Sequence, residues 1–202
     1  MRFLRWPVVS DSQAEIDRIA FFSDAVFAIA ITLLVVEISV PDGPIAGLAT
    51  ALADRGPKFF AFVLSFLVIG QFWISHHRVF RHLRRYDLGV MWLNLLYLLG
   101  VAFLPFPTAL LGNYFHSALV GVFYGASLFA PSAMGALLWF YSARRGFLRE
   151  SPDTRQIGAR ALVTPAVFLV GIGLAPINIY LSVFCWIILL PLLRLLLSAT
   201  AE

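Results

Sequence analysis

The 202-residue sequence predicts an all-α, polytopic membrane protein of six transmembrane helices, forming one domain over 1–202. Three observations predict it. Hydrophobic residues make up 60% of the chain and charged residues only 13%, about half the charged share of a soluble domain. Apolar runs, most of them near the ~20 residues a helix needs to cross a bilayer core, follow one another along the whole chain. The charged residues fall between these runs, where they set topology.

Residues 1–17 read as a short polar lead, in which Ser12 and Glu15 have capping-box spacing and can start a helix. The lead is basic but lacks a long apolar core, so no cleaved signal peptide is expected. The first span is predicted at about 19–40, closed by Pro41, Asp42, Gly43 and Pro44. A connector, 45–56, leads to the second span, 57–75, with Pro57 suited to a helix N-terminus. Its end is the cluster His76, His77, Arg78, Arg81, His82, Arg84 and Arg85. The third span, 88–111, contains Pro105 and Pro107, expected to kink or unwind its far end. The fourth is predicted at 118–143, around Pro131, and is followed by a basic connector, 144–160. The fifth, 161–174, is short, and the turn at 175–178 leads to the sixth, 179–197.

Six spans place both termini on one side. Arg2, Arg5 and Arg18, the arginines after the second span, those of 144–160 and Arg194 all fall there, leaving only Arg55 and Lys58 on the other. The positive-inside rule makes the crowded side, and both termini, cytoplasmic. Trp92 and Trp139 fall near span ends as interface anchors, whereas Trp186 lies mid-span and is assigned to packing. The net charge of +4 reflects these topological charges rather than a nucleic-acid surface. Cys185 is the only cysteine and has no intrachain partner.

Signatures of enzymes are absent: no H-E-x-x-H, G-x-S-x-G or P-loop. His76, His77 and His82 stand among arginines with Asp87 as the one nearby carboxylate, a poor cation cage, so no metal site is expected. Voltage-sensor arginines at every third position and a T-V-G-Y-G filter are also absent.

Chemistry concentrates on the first span. Asp24 at its head and Glu37 near its exit are costly in lipid unless they face protein or water. At 100° per residue, Ile29, Leu33 and Val36 fall within about 60° of one another, with Thr32 beside them. This stripe suits a pore wall, but equally helix packing or a lipid face. Ala25, Ala28 and Thr32 make a small-residue face suited to close packing. Arg18, Ser23, Asp24, Trp73, His76 and Asn94 are expected to form one polar network joining three helices. Because Asp24, Glu37 and His76 titrate, a proton-coupled transporter is the alternative to a channel, although no pair of broken-helix half-repeats supports it.

Arg18-x-x-x-Phe22-Ser23-Asp24 resembles the R-x-x-x-F-S-D signature of the TMEM175 family of potassium-permeable cation channels. Trp73 to His76 resembles the W-x-x-H end of that family's second helix, and Asn94 with Phe103 to Pro107 its third. The likeness covers the first half of the chain by motif and the second half by span count. It implies a prokaryotic cell-membrane protein with one six-helix repeat, assembling with itself as a homotetramer among membrane lipids. The first helices would line the pore, with Ile29 as the narrowest ring and Thr32 or Leu33, then Val36, on the next turns. Phe22 joins Arg18, Ser23 and Asp24 in the motif network with His76. Permeant potassium is the only ion implied, and no cofactor. A ring of isoleucines offers no carbonyls to replace a hydration shell, so the expected preference for potassium over sodium is modest. Glu37 would sit at the outer mouth and attract cations, or pair with Arg55 or Lys58.

Overall fold

Long apolar runs with no interior turn signal become long helices. A computed structural model describes residues 8–10, 12–41, 45–149, 154–189 and 191–193. The sequence readings of Arg2, Arg5 and Arg194, of the break at 42–44 and of the 194–197 end of the sixth span lie outside the described residues. In chain order the elements are β1 (Val8–Ser10), α1 (Gln13–Val36), a 3-10 turn (Ile45–Gly47), α2 (Leu48–Ala53), α3 (Gly56–His82) and β2 (Tyr86–Asp87). They continue with α4 (Leu88–Phe103), α5 (Pro105–Asn113), α6 (Ala118–Arg144), α7 (Thr154–Leu174), α8 (Ile179–Phe184) and a π turn (Cys185–Leu189). Among the described residues five helices are long and apolar enough to cross a membrane. The last apolar stretch, Ile179–Leu193, is shorter.

Several boundaries differ from the sequence reading. α1 begins at Gln13 and ends at Val36, short of residue 40. Ser12 takes the N-cap position, but its side chain does not make the capping bond. α3 runs on to His82, because histidine and arginine are tolerated in a helix and nothing before Leu83 breaks it. The residues from His76 to His82 are therefore helical. The third span breaks at Leu104, with Pro105 opening α5; a proline has no N–H to give and fits a first turn. α6, by contrast, passes through Pro131 without interruption.

β1 pairs antiparallel with β2, Val8 against Asp87 and Ser10 against Tyr86. Leu83 bridges to Leu148, and the backbone N–H groups of Arg84 and Arg149 donate to Phe147 (2.9 Å) and His82 (2.8 Å). The N-terminal lead and the α3–α4 and α6–α7 connectors thus meet at one end, an organisation the sequence reading did not contain. Asp87 holds it together. Its carboxylate accepts from the Val90 N–H at the start of α4 (3.0 Å) and the Tyr141 hydroxyl (2.8 Å), and pairs with Arg145 at 3.0 Å. The Tyr86 hydroxyl donates to Glu15 of α1 at 3.1 Å.

One apolar core lies midway along the helices, where Phe27 and Leu34 meet Ile69, Tyr97, Tyr124 and Phe168. A second lies at the basic end, around Ile16, Phe80, Val90 and Trp139. Trp139 is buried there, which corrects its assignment as an interface anchor; Trp92 is exposed. Trp186 is buried against Tyr124, ring centres 5.5 Å apart. Gly171 makes room for its indole, since a Cβ there would collide with it; at Gly125 a Cβ would collide with Ile172 and crowd the indole.

Candidate pore face and its supporting network

α1 has two faces of opposite character. Ile16, Ser23, Phe27, Ala30 and Leu34 are buried, at the three-and-four spacing of one helical stripe, and this stripe packs on α3 and α4. Ile29, Thr32, Leu33 and Val36 are all exposed, on a face roughly 140° away at 100° per residue. Only 22% of the α1 span is buried within the chain, against 39% to 44% in the other four spans. Ala25 is exposed on the same side, and so is Phe22. The Thr32 hydroxyl donates to its own helix, at 3.0 Å from the Ala28 carbonyl and 2.9 Å from that of Ile29. Its proton is thus engaged inward, and its lone pairs are left to accept from outside or to meet a cation.

Behind this face, two separate polar clusters hold α1 to its neighbours. In the first, the His76 Nε2 lies 2.8 Å from Asn94 Oδ1, and the Asn94 Nδ2 donates to Ser23 Oγ at 3.1 Å. Ser23 in turn donates to the Ile19 carbonyl at 2.9 Å. All three side chains are buried, so one residue each from α1, α3 and α4 is joined out of reach of water. The His76 ring is enclosed by Phe80 (stacked, 4.4 Å), Tyr97 (5.4 Å) and Phe27 (edge-on, 5.5 Å). In the second cluster, the Trp73 indole N–H donates to Asp24 at 2.8 Å, at the margin between the packed and unpacked faces.

The six residues expected in one network therefore divide. Ser23, Asn94 and His76 are linked, and Asp24 is linked to Trp73. Arg18 makes no hydrogen bond with a described residue; it lies with Phe22, Glu15 and Asn94 along a cleft of about 400 Å³ between α1 and α4. A guanidinium one and a half turns before Asp24 lies too far round the helix to meet it without a partner on another element. Glu37 forms the C-cap of α1 and makes no ion pair among the described residues. Arg55 instead donates to the carbonyls of Ser39 (2.8 Å) and Ala51 (2.9 Å).

Sequence reasoning missed a third cluster, and this one is buried. Thr108 Oγ1 donates to Ser65 Oγ at 2.7 Å, and Ser65 lies 2.8 Å from the Tyr124 hydroxyl. It joins α3, α5 and α6. Three isolated hydroxyls in apolar runs were its only signal, and no spacing rule links residues so far apart in the chain. Among the described residues no group of histidine, cysteine and carboxylate side chains is placed to hold a metal.

The fold and this face define an integral membrane protein of helices whose first span is left largely uncovered by its own chain. Residues 18–105 match the family model described as endosomal/lysosomal potassium channel TMEM175. A protein of Streptomyces collinus named a potassium channel is 40% identical over 80% of this chain and 82% of its own. One of Chamaesiphon minutus, also named a potassium channel, is 37% identical over 87% and 92%. The crystal structure of a lysosomal potassium-selective channel TMEM175 homologue from Chamaesiphon minutus superposes with a TM-score of 0.78 at 34% identity, covering 94% of this chain and 99% of that one. The chain belongs to the TMEM175 family, a family of ion channels and not of enzymes. The human member, named a proton channel, matches over 44% of this chain but only 19% of its own length, at 38% identity.

Proposed function

We propose that this protein is a potassium-permeable cation channel in which α1 from each of four copies lines a central pore. The observation that carries the reading is the uncovered aliphatic face of α1, in a chain whose bacterial relatives are named potassium channels. A membrane helix with Asp24 at its head and an unpacked stripe of Ile29, Leu33 and Val36 needs either lipid or other copies against it. Lipid would leave Thr32 and the Asp24 margin in hydrocarbon, whereas a pore gives both a watery neighbour.

In this reading Ile29 forms the narrowest ring. An apolar ring blocks by excluding water when narrow and passes partly dehydrated ions when slightly wider, which favours the more weakly hydrated potassium over sodium. Thr32, its proton turned back to the helix, offers oxygen lone pairs on the next turn. Val36 and Glu37 follow at the far mouth, where the carboxylate raises local cation concentration. The Ser23–Asn94–His76 and Asp24–Trp73 clusters set the rotation of α1, and thereby which residues face the axis. Arg18 and Phe22 then meet a neighbouring copy. Both termini lie on the cytoplasmic side of a prokaryotic membrane.

The test is ion flux into liposomes carrying the purified protein, under potassium, sodium and proton gradients in turn. Potassium flux above sodium flux, with Ile29→Asn raising flux and lowering the preference, is the expected result. Flux carried by protons alone would favour the transporter reading. Unchanged flux and selectivity in well-expressed Ile29→Asn would remove Ile29 from the constriction.

A further inference from the structure

At the basic end, outside the network just described, a groove of about 650 Å³ opens between the start of α4 and the end of α6. Arg85, Arg144 and Arg145 line its outer end, and Leu93, Leu137 and Phe140 its inner wall. The charged and apolar parts are stacked along the helix axes. Leu93 lies within the first two turns of α4 and Leu137 about two turns before the end of α6, while the arginines stand where the helices end. Among the described residues no carboxylate lines the groove, and Asp87 lies behind it, on Arg145 and Tyr141. Arg145 is held in place by Asp87 (3.0 Å) and over the Phe147 ring (5.3 Å). Arg144 is exposed and makes no hydrogen bond or ion pair with a described residue. Leu137 is half exposed, and beside Leu93 on α4 the side chains of Leu96 and Leu99 continue an exposed apolar track.

We propose that this groove is a binding site for an anionic phospholipid, with the headgroup phosphate on Arg144 and Arg145 and an acyl chain along Leu93, Leu137 and Phe140. Charge selects the occupant. A cluster of guanidinium groups at the membrane surface with an apolar wall directly beneath matches a phosphodiester joined to hydrocarbon. A neutral lipid leaves the exposed Arg144 without a counter-charge among the described residues, and a free phosphate leaves the leucines uncovered. The site is independent of the channel reading, since none of its residues lies on α1. Through Asp87 and the adjacent Tyr86–Glu15 bond, it nonetheless touches the elements that hold the start of α1.

The test uses the full-length protein in a neutral detergent, freed of native lipid. It is titrated with dioctanoyl phosphatidylglycerol, dioctanoyl phosphatidylcholine and inorganic phosphate, with bound lipid read by native mass spectrometry and stability by thermal shift. Phosphatidylglycerol is expected to bind at least tenfold more tightly than phosphatidylcholine and to raise the melting temperature, while phosphate alone does neither. Arg144→Gln should weaken phosphatidylglycerol about fivefold, the equivalent of about 1 kcal/mol for one surface basic residue. Arg81→Gln, an exposed arginine at the same end outside the groove, should leave binding unchanged. Leu137→Glu should abolish binding without moving the lipid-free melting temperature. Equal affinity for the two lipids, an equal loss in Arg81→Gln, or a full response to phosphate would each overturn the proposal. So would a change of oligomer mass in Arg144→Gln or Leu137→Glu, which would assign the groove to a second copy of the chain.

Discussion

Replacing Asn94 by leucine tests whether the buried bridge between α1, α3 and α4 holds the first helix in place. The change is nearly isosteric and apolar, so packing volume is kept while both side-chain bonds are lost: the 2.8 Å contact to His76 and the 3.1 Å bond to Ser23. Ser23 suffers little, because its hydroxyl still donates to the Ile19 carbonyl. His76 suffers most. Its Nε2 is left without a partner inside a cage of Phe27, Phe80 and Tyr97, with 3% of the residue exposed. Orphaning a buried polar group costs about 1–3 kcal/mol, whereas hydrogen bonds between membrane helices average about 0.6 kcal/mol with a maximum near 1.7. Taking the orphaned ring nitrogen as the main cost, Asn94→Leu should lose about 2 kcal/mol. His76→Phe removes the orphan and keeps the ring stacking. The double variant should therefore regain roughly 1 kcal/mol relative to the sum of the single ones, about a fivefold change in the unfolding constant. The assay is equilibrium unfolding in mixed detergent micelles, followed by tryptophan fluorescence. Additivity within about 0.3 kcal/mol would refute the reasoning, since it would mean that His76 and Asn94 do not depend on each other.

Asp87→Ala should cost about 3–5 kcal/mol, because it strands Arg145 and Tyr141 and uncaps α4; Asp87→Asn should lose less, and thermal denaturation in detergent ranks the two. Gly171→Ala should destabilise by roughly 1–3 kcal/mol, because its methyl group meets the Trp186 indole; Trp186→Phe in the same background should recover part of the loss if that clash is the cause. Asp24→Ala should lower the stability of the assembled oligomer, read by its thermal dissociation, more than it alters ion selectivity. Glu37→Gln should reduce potassium conductance in dilute salt and leave it unchanged near 1 M, where the Debye length falls to about 3 Å; an equal reduction at both salt concentrations would exclude a mouth-charge role.

The membrane class, the order of the spans and the special status of the first helix are all present in the sequence. Each depends on residues close together in the chain: apolar runs long enough for a bilayer, Pro105 at the joint of the third span, and Ile29, Leu33 and Val36 repeating at helical spacing. Local patterns of this kind need no knowledge of neighbours. The motif residues were also legible as a group, but not their pairing. Which acceptor the Trp73 indole takes, and that Asn94 rather than Asp24 meets His76, depends on the rotation of three helices about their axes. Arg18 stays outside both clusters for the same reason.

The tertiary structure alone decided three further matters. It showed that the side of α1 meeting α3 and α4 is the stripe of Ser23, Phe27, Ala30 and Leu34, where periodicity left the aliphatic stripe of Ile29, Leu33 and Val36 equally suited to a pore, to packing or to lipid, because packing energy and not spacing chooses which side is covered. It turned Asp87 from an isolated carboxylate among arginines into the hub of Val90, Tyr141 and Arg145, a contact set spanning most of α4 to α6. It also joined β1 to β2, placing the N-terminal lead against a connector far along the chain. Sequence determines what each segment can do in a bilayer; contacts between distant segments exist only once the helices have packed, since each is a small gain that appears when its two partners are already held in place.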